Sequence, residues 1–129
     1  MKTKVLMLVV VMFTAIITVN AQFQRRTVEE RVKMVHSKID SAFKFDTQKM
    51  ANIDSIFANF YRSQDQVREE MRNGGGQDRQ AMREKMQPLT EDRNQKLKAA
   101  MGDNDFKIWK EQIEPSMRPK RPNDGSNNQ

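Results

Sequence analysis

Residues 46–72 read DTQKMANIDSIFANFYRSQDQVREEMR. Met50, Ile53, Phe57, Phe60, Gln64, Val67 and Met71 step along this stretch by three, four, three, four, three and four. That is a heptad seam with one polar member, Gln64, and it predicts a single long helix over Asp46–Arg72 with Asp46 as its N-cap. At ~1.5 Å per residue the rod is roughly 40 Å long. A rod with such a seam needs a partner, from the same chain or from a second copy, and the flanking sequence offers candidates on both sides.

Upstream, Thr27-Val28-Glu29-Glu30 has the form of a capping box. Val28, Val32, Val35, Ile39 and Ala42 follow at spacings of four, three, four and three, and Phe43 widens the stripe, which predicts an amphipathic helix of about 17 residues. Downstream, Asn73-Gly74-Gly75-Gly76 stops the long helix and forms a hinge. Asp78 caps a third helix with Met82, Met86, Leu89, Leu97, Ala100 and Met101 on one side. Pro88 either kinks it near Glu84 or breaks it, with Thr90 capping a new helix. Gly102 ends this element, Asp103 caps a short fourth helix carrying Phe106, Trp109 and Ile113, and Pro115 closes it. The expected fold is all-α, with four amphipathic helices whose long seam is covered from the same chain or by a second copy.

The 129 residues suffice for one small domain. With no cysteine, a disulfide, a thiolate nucleophile and a cysteine zinc site are excluded. Lys2 and Lys4 precede an uncharged run from Val5 to Val19, and Val19-Asn20-Ala21 places small residues at the positions a signal peptidase reads. The run is roughly 22 Å as a helix, short for a retained span. Residues 1–21 are therefore read as a cleavable secretory signal cut after Ala21, and the expected location is the periplasm without stable membrane insertion. Residues 22–115 are the helical domain, and 116–129, rich in proline, asparagine and basic residues, form a disordered tail. Losing Lys2 and Lys4 lowers the net charge from +6 to +4, and the tail, with Arg118, Lys120 and Arg121 against Asp124, holds half of it, which leaves the helical part close to neutral. Nucleic acid is thus not an expected partner.

Enzyme chemistry finds no support. No Ser-His-Asp pattern or phosphate loop is present, and the glycine run is neither preceded by a strand pattern nor followed by Lys-Ser/Thr. The acid pairs Glu91/Asp92 and Asp103/Asp105 stand where helix capping and the helix dipole account for them. His36 and Asp40, one turn apart, either hold zinc or copper with ligands from a second copy, or form an ordinary salt bridge on a solvated flank. No other cofactor is expected. The apolar faces say more. Met34, Ile56, Tyr61 and Ile108 lie beside the stripes, and thin helices of this size cannot hide so much apolar surface within one copy. Methionine suits a surface that adapts to varied shapes, and neighbouring cations attract acidic partners. Candidate contact residues are Met34, Ile56, Phe60, Met82 and Met86, with Arg62 and Arg83 supplying charge.

Two segments carry a resemblance. Phe45-Asp46-Thr47-Gln48-Lys49 opens the second helix, and Met101-Gly102-Asp103-Asn104-Asp105 opens the fourth. Each sets a large apolar residue (Phe45, Met101) before a cap position (Asp46, Asp103). Leu89-Thr90-Glu91-Asp92-Arg93 matches the letters better but sits within the third helix. Over Thr27–Pro115 the chain resembles the Spy/CpxP-like periplasmic proteins, whose mark is a Leu-Thr-x-x-Gln motif at the start of two helices. The resemblance implies four amphipathic helices forming an extended bent helical hairpin, paired as a cradle-shaped antiparallel dimer. It also implies an ATP-independent chaperone that shields unfolded or misfolded envelope proteins during envelope stress, or a regulator that docks a sensor kinase. Related members bind zinc or sense metals.

Overall fold

The computed structural model describes residues 25–75 and 78–118. The expected signal segment, Gly76 of the glycine run and nearly all of the tail lie outside these residues. Among the described residues the chain is all-α: α1 (Val28–Phe43), α2 (Thr47–Asn73), α3 (Arg79–Met101) and α4 (Asp103–Ile108). A π-helical turn (Trp109–Ile113) and α5 (Glu114–Ser116) continue α4 without a break, so Asp103 to Ser116 acts as one C-terminal rod.

The starts of α1 and α2 follow from local chemistry. Thr27 Oγ1 accepts from the Glu30 amide at 3.2 Å while the Thr27 amide donates to Glu30 Oε2 at 2.9 Å, the reciprocal pair expected of a capping box. Asp46 Oδ1 accepts from the Lys49 amide at 2.8 Å. Between these helices the chain reverses at Lys44, in the left-handed region at φ 52°, and Phe43 stacks on Phe45 with centroids 5.1 Å apart.

Three expectations at the C-terminal side are corrected. First, α3 runs unbroken through Pro88, and the Thr90 hydroxyl donates back to the Met86 carbonyl at 3.1 Å, as a threonine within a helix does, not a cap. Second, Asp103 is the first residue of α4 and not its cap. Gly102, at φ 92°, turns the chain from α3 into α4 within one residue, so no position outside the helix is left for Asp103. Its carboxylate lies 3.7 Å from Lys98 Nζ. Third, Pro115 does not close the last helix: it stands inside α5, directly after the π-helical turn, and the helix ends at Ser116. Met117 beyond it packs against the core.

The helices form a bundle at one end and a bare hairpin at the other. α1 lies along the first half of α2, and the C-terminal rod returns beside α3. Val35, Ile39, Met50, Ile53, Phe57, Leu97, Met101 and Trp109 form the buried core where these four rods meet. Trp109, 1% exposed, meets Phe57 edge-to-face at 5.4 Å. Beyond this bundle only α2 and α3 face each other. Val67, Met71, Met82 and Met86 are half-buried there, and Lys85 Nζ bridges to Glu70 Oε2 at 3.4 Å across the hairpin. The heptad seam is therefore closed along its first half and partly open along its second. Ala42, expected in the α1 stripe, is exposed.

Candidate functional site

Among the described residues one charged side chain is buried, and the grooves of the fold are built around it. Arg93 stands in the apolar row of α3, one turn from Leu89 and one from Leu97, and is 8% exposed. Its guanidinium lies over Phe60 at 4.6 Å and donates to Glu114 Oε1 at 2.6 Å and Asn94 Oδ1 at 2.8 Å. Lys110 donates to the other Glu114 oxygen, so one carboxylate joins two cations and ties the C-terminal rod to α3. Burial pushes the Glu114 pKa up, but the bond from Lys110 and the charges of Arg93 and Lys110 outweigh it and hold the group below its ordinary value. Tyr61 shifts the other way. Burial raises its hydroxyl pKa against the opposing charges of Arg93 and Arg31, and the Arg31 guanidinium covers its ring at 4.6 Å.

Arg31 also accounts for the polar break in the seam. It reaches from α1 to pair with Asp65 and donates to Gln64 Oε1 at 3.3 Å, so Gln64 sits where α1 supplies a donor.

Several open clefts lie around this framework. The first, about 520 Å³, runs between α2 and α3. Ile56, Phe60, Leu89 and Ala100 give it an apolar floor; Asn52, Ser55, Asn59 and Ser63 line one side, and Arg93 and the ion pair of Lys96 with Asp92, 2.7 Å apart, the other. The second, about 420 Å³, lies between α1 and α2 and takes in Val32, His36, Asp54, Ala58 and Arg62. The third, about 540 Å³, is at the hairpin tip, where Arg25, Arg68, Arg72 and Arg79 surround Met71 and Met82. Burial lowers the Arg68 pKa. Asp65 opposes that shift, while Arg25 and Arg31 add to it.

The seven candidate contact residues do not converge on one face. Ile56 and Phe60 share the first cleft. Met82 is at the tip, and Met86 is half-buried further along α3. Met34, 41% exposed, stands on α1 with Arg26 donating to its sulfur. Arg62 lies in the α1–α2 cleft beside Asn59, and Arg83 is exposed on α3. Of the four motif positions, Met101 is in the core, and its carbonyl accepts from Lys49 Nζ at 3.3 Å. Phe45 is half-buried under the Lys49 ammonium at 4.1 Å. The His36–Asp40 pairing is corrected: His36 Nδ1 faces Asp54 of α2 at 2.8 Å, and Asp40 lies 3.8 Å from Lys44. A turn of helix aligns His36 with Asp40, but the packing of α1 on α2 brings Asp54 closer. Among the described residues no group of three or more His, Asp or Glu is placed to hold a metal ion.

Sequence reasoning missed Arg93, Glu114 and Asp54. Arg93 carried a signal, because it fills the gap between Leu89 and Leu97 at the spacing of the apolar row. Comparison with protein-family models, curated proteins and solved structures produced no match to this chain.

Proposed function

We propose that this protein is an exported, ATP-independent binder of partly unfolded polypeptides, and that the cleft between α2 and α3 is its contact surface. The observation that carries this reading is the lining of that cleft: an apolar floor of Ile56, Phe60 and Leu89 beside four amide and hydroxyl side chains, with its cations already paired, Lys96 to Asp92 and Arg93 to Glu114. An unfolded segment presents apolar side chains together with unpaired backbone amides and carbonyls. Asn and Ser side chains both donate and accept, so they can meet a backbone in many registers without selecting a sequence. Apolar contact supplies the free energy, and the paired charges at the rim leave the cleft without a strong preference for acidic or basic segments. The cleft is open and its lining half-exposed, which suits weak, reversible capture. This is the role implied by the resemblance to Spy/CpxP-like proteins, and the two supports are independent.

The test is light scattering of a denatured reporter protein diluted into buffer with an equimolar amount of this chain. Wild type is expected to delay aggregation. Phe60→Asn, with helicity checked by circular dichroism, is expected to lose most of the delay. No delay by wild type, or an undiminished delay by a folded Phe60→Asn, sinks the proposal. A pull-down that returns one stoichiometric partner in place of many clients supports the signalling adaptor instead.

A further inference from the structure

We infer that the cleft between α1, α2 and the C-terminal rod binds a small carboxylic acid with an apolar body, a function separate from polypeptide capture and independent of it. The cleft holds about 370 Å³, toward the small end of the range for small-molecule sites. Phe57, Tyr61 and Trp109 give it aromatic walls beside Val35. Met34 and Met117 line it too, and their unbranched side chains can move to admit a guest. Two donors in this lining are buried and have no acceptor among the described residues, Trp109 Nε1 and Arg31 Nε. Trp109 itself is 1% exposed. The two donors come from different elements, the C-terminal rod and α1, and are joined through α2: Trp109 meets Phe57, Phe57 lies 6.0 Å from Tyr61, and the Arg31 guanidinium covers Tyr61. A buried N–H without an acceptor is costly, and two of them on one cleft mark where an acceptor belongs.

The remaining hydrogen bonds decide the chemistry of that acceptor. The other nitrogens of Arg31 are in use, Nη2 on Asp65 and Nη1 on Gln64 Oε1 at 3.3 Å. Glu114, the one acid in the lining, keeps its full negative charge, but its two oxygens accept from Arg93 and Lys110. The side chains of the cleft therefore have donors to spare while their carboxylate and amide acceptors are engaged. A carboxylate only accepts, so it fits this imbalance. An alcohol, an amide or a peptide backbone brings a donor of its own, which would compete for acceptors already in use. Charge agrees. Glu114 is shared by Arg93 and Lys110, and Asp65 by Arg31 and Arg68, so each of these carboxylates leaves a cation in excess beside the cleft. An anion held by such donors makes charge-assisted bonds, and the aromatic walls cover its apolar body.

The test is a titration of the purified protein with hexanoate at constant ionic strength, read by the emission of Trp109, the single tryptophan. A saturable change in emission is expected. Hexanamide has the same chain length, no charge and an added N–H₂, and is expected to bind at least about tenfold more weakly. Trp109→Phe keeps an aromatic ring and drops the N–H. Arg31→Lys keeps a charge for Asp65 and drops the Nε donor. Each variant, with helicity checked by circular dichroism and binding read by calorimetry, is expected to hold hexanoate about tenfold more weakly than wild type. Lys96→Gln, in the α2–α3 cleft, alters net charge by the same amount as loss of one cation and is expected to bind as wild type does. No saturable binding by wild type, equal affinity for hexanamide, or undiminished binding by folded Trp109→Phe and Arg31→Lys would each overturn the proposal. Binding of a capped glutamate peptide as tight as that of hexanoate would make the cleft a polypeptide site and also overturn it.

Discussion

The two ends of the α2–α3 hairpin use the same side-chain types to different ends. At the bundle end, Ile53, Phe57 and Leu97 are covered by α1 and the C-terminal rod, and the one buried cation, Arg93, has a carboxylate of its own. At the tip, Met71 and Met82 occupy corresponding positions on the same two helices, but among the described residues no third rod reaches them, and of the arginines there only Arg68 has an ion-pair partner. The apolar pattern along α2 is continuous across both. What differs is where α1 begins and where the C-terminal rod ends. Burial here is a property of neighbours, and the fully enclosed side chains all belong to one end.

The contrast can be broken most forcefully at Trp109. Trp109→Ala removes the largest enclosed side chain and is expected to cost about 4 kcal/mol, read as a fall in the urea midpoint. A loss under 1 kcal/mol would mean the C-terminal rod is not part of the core.

Next in size is the Glu114 link. Glu114→Gln leaves Arg93 buried with half its partner and is expected to cost about 3 kcal/mol at neutral pH. The pH dependence sharpens this. Because the folded pKa lies below the ordinary 4.5, the carboxylate stabilises the fold above that value, and the gain is lost as pH falls below it through the folded pKa. Unfolding titrations from neutral to acid pH should show wild type losing this increment and Glu114→Gln lacking it; identical slopes would remove Glu114 from the account.

The smallest effect belongs to the tip. Met82→Ala is expected to shift stability by about 1 kcal/mol or less, since the side chain is only half-buried. A loss as large as that of Trp109→Ala would show that something covers the tip, and a mass determination by light scattering would then find a second copy.

The helices were legible because their signals are local. The Thr27 box, the Asp46 cap and the heptad of α2 depend on residues within a few positions of one another. The departures arise where distant segments meet or where two helices share a residue. Asp54 displaces Asp40 as the partner of His36 because α1 packs on α2. Asp103 loses its capping role because Gly102 alone makes the turn. Of the candidate contact residues, Ile56 and Phe60, one turn apart on α2, line the same cleft. Arg62 faces the α1–α2 cleft and Met34 stands exposed on α1, a matter of helix rotation that composition does not encode. The salt bridge of Arg93 with Glu114 joins residues far apart in the chain, although an arginine in an apolar row already asked for a buried acid.

The chain has a single tryptophan, and it is enclosed against Phe57 within the π-helical turn. Its fluorescence therefore watches one end of the molecule only. Fraying of the hairpin tip would pass without change in emission, whereas release of the C-terminal rod would shift the spectrum to the red. Paired with a dye placed near Gly75, this built-in lamp would separate the two ends in time.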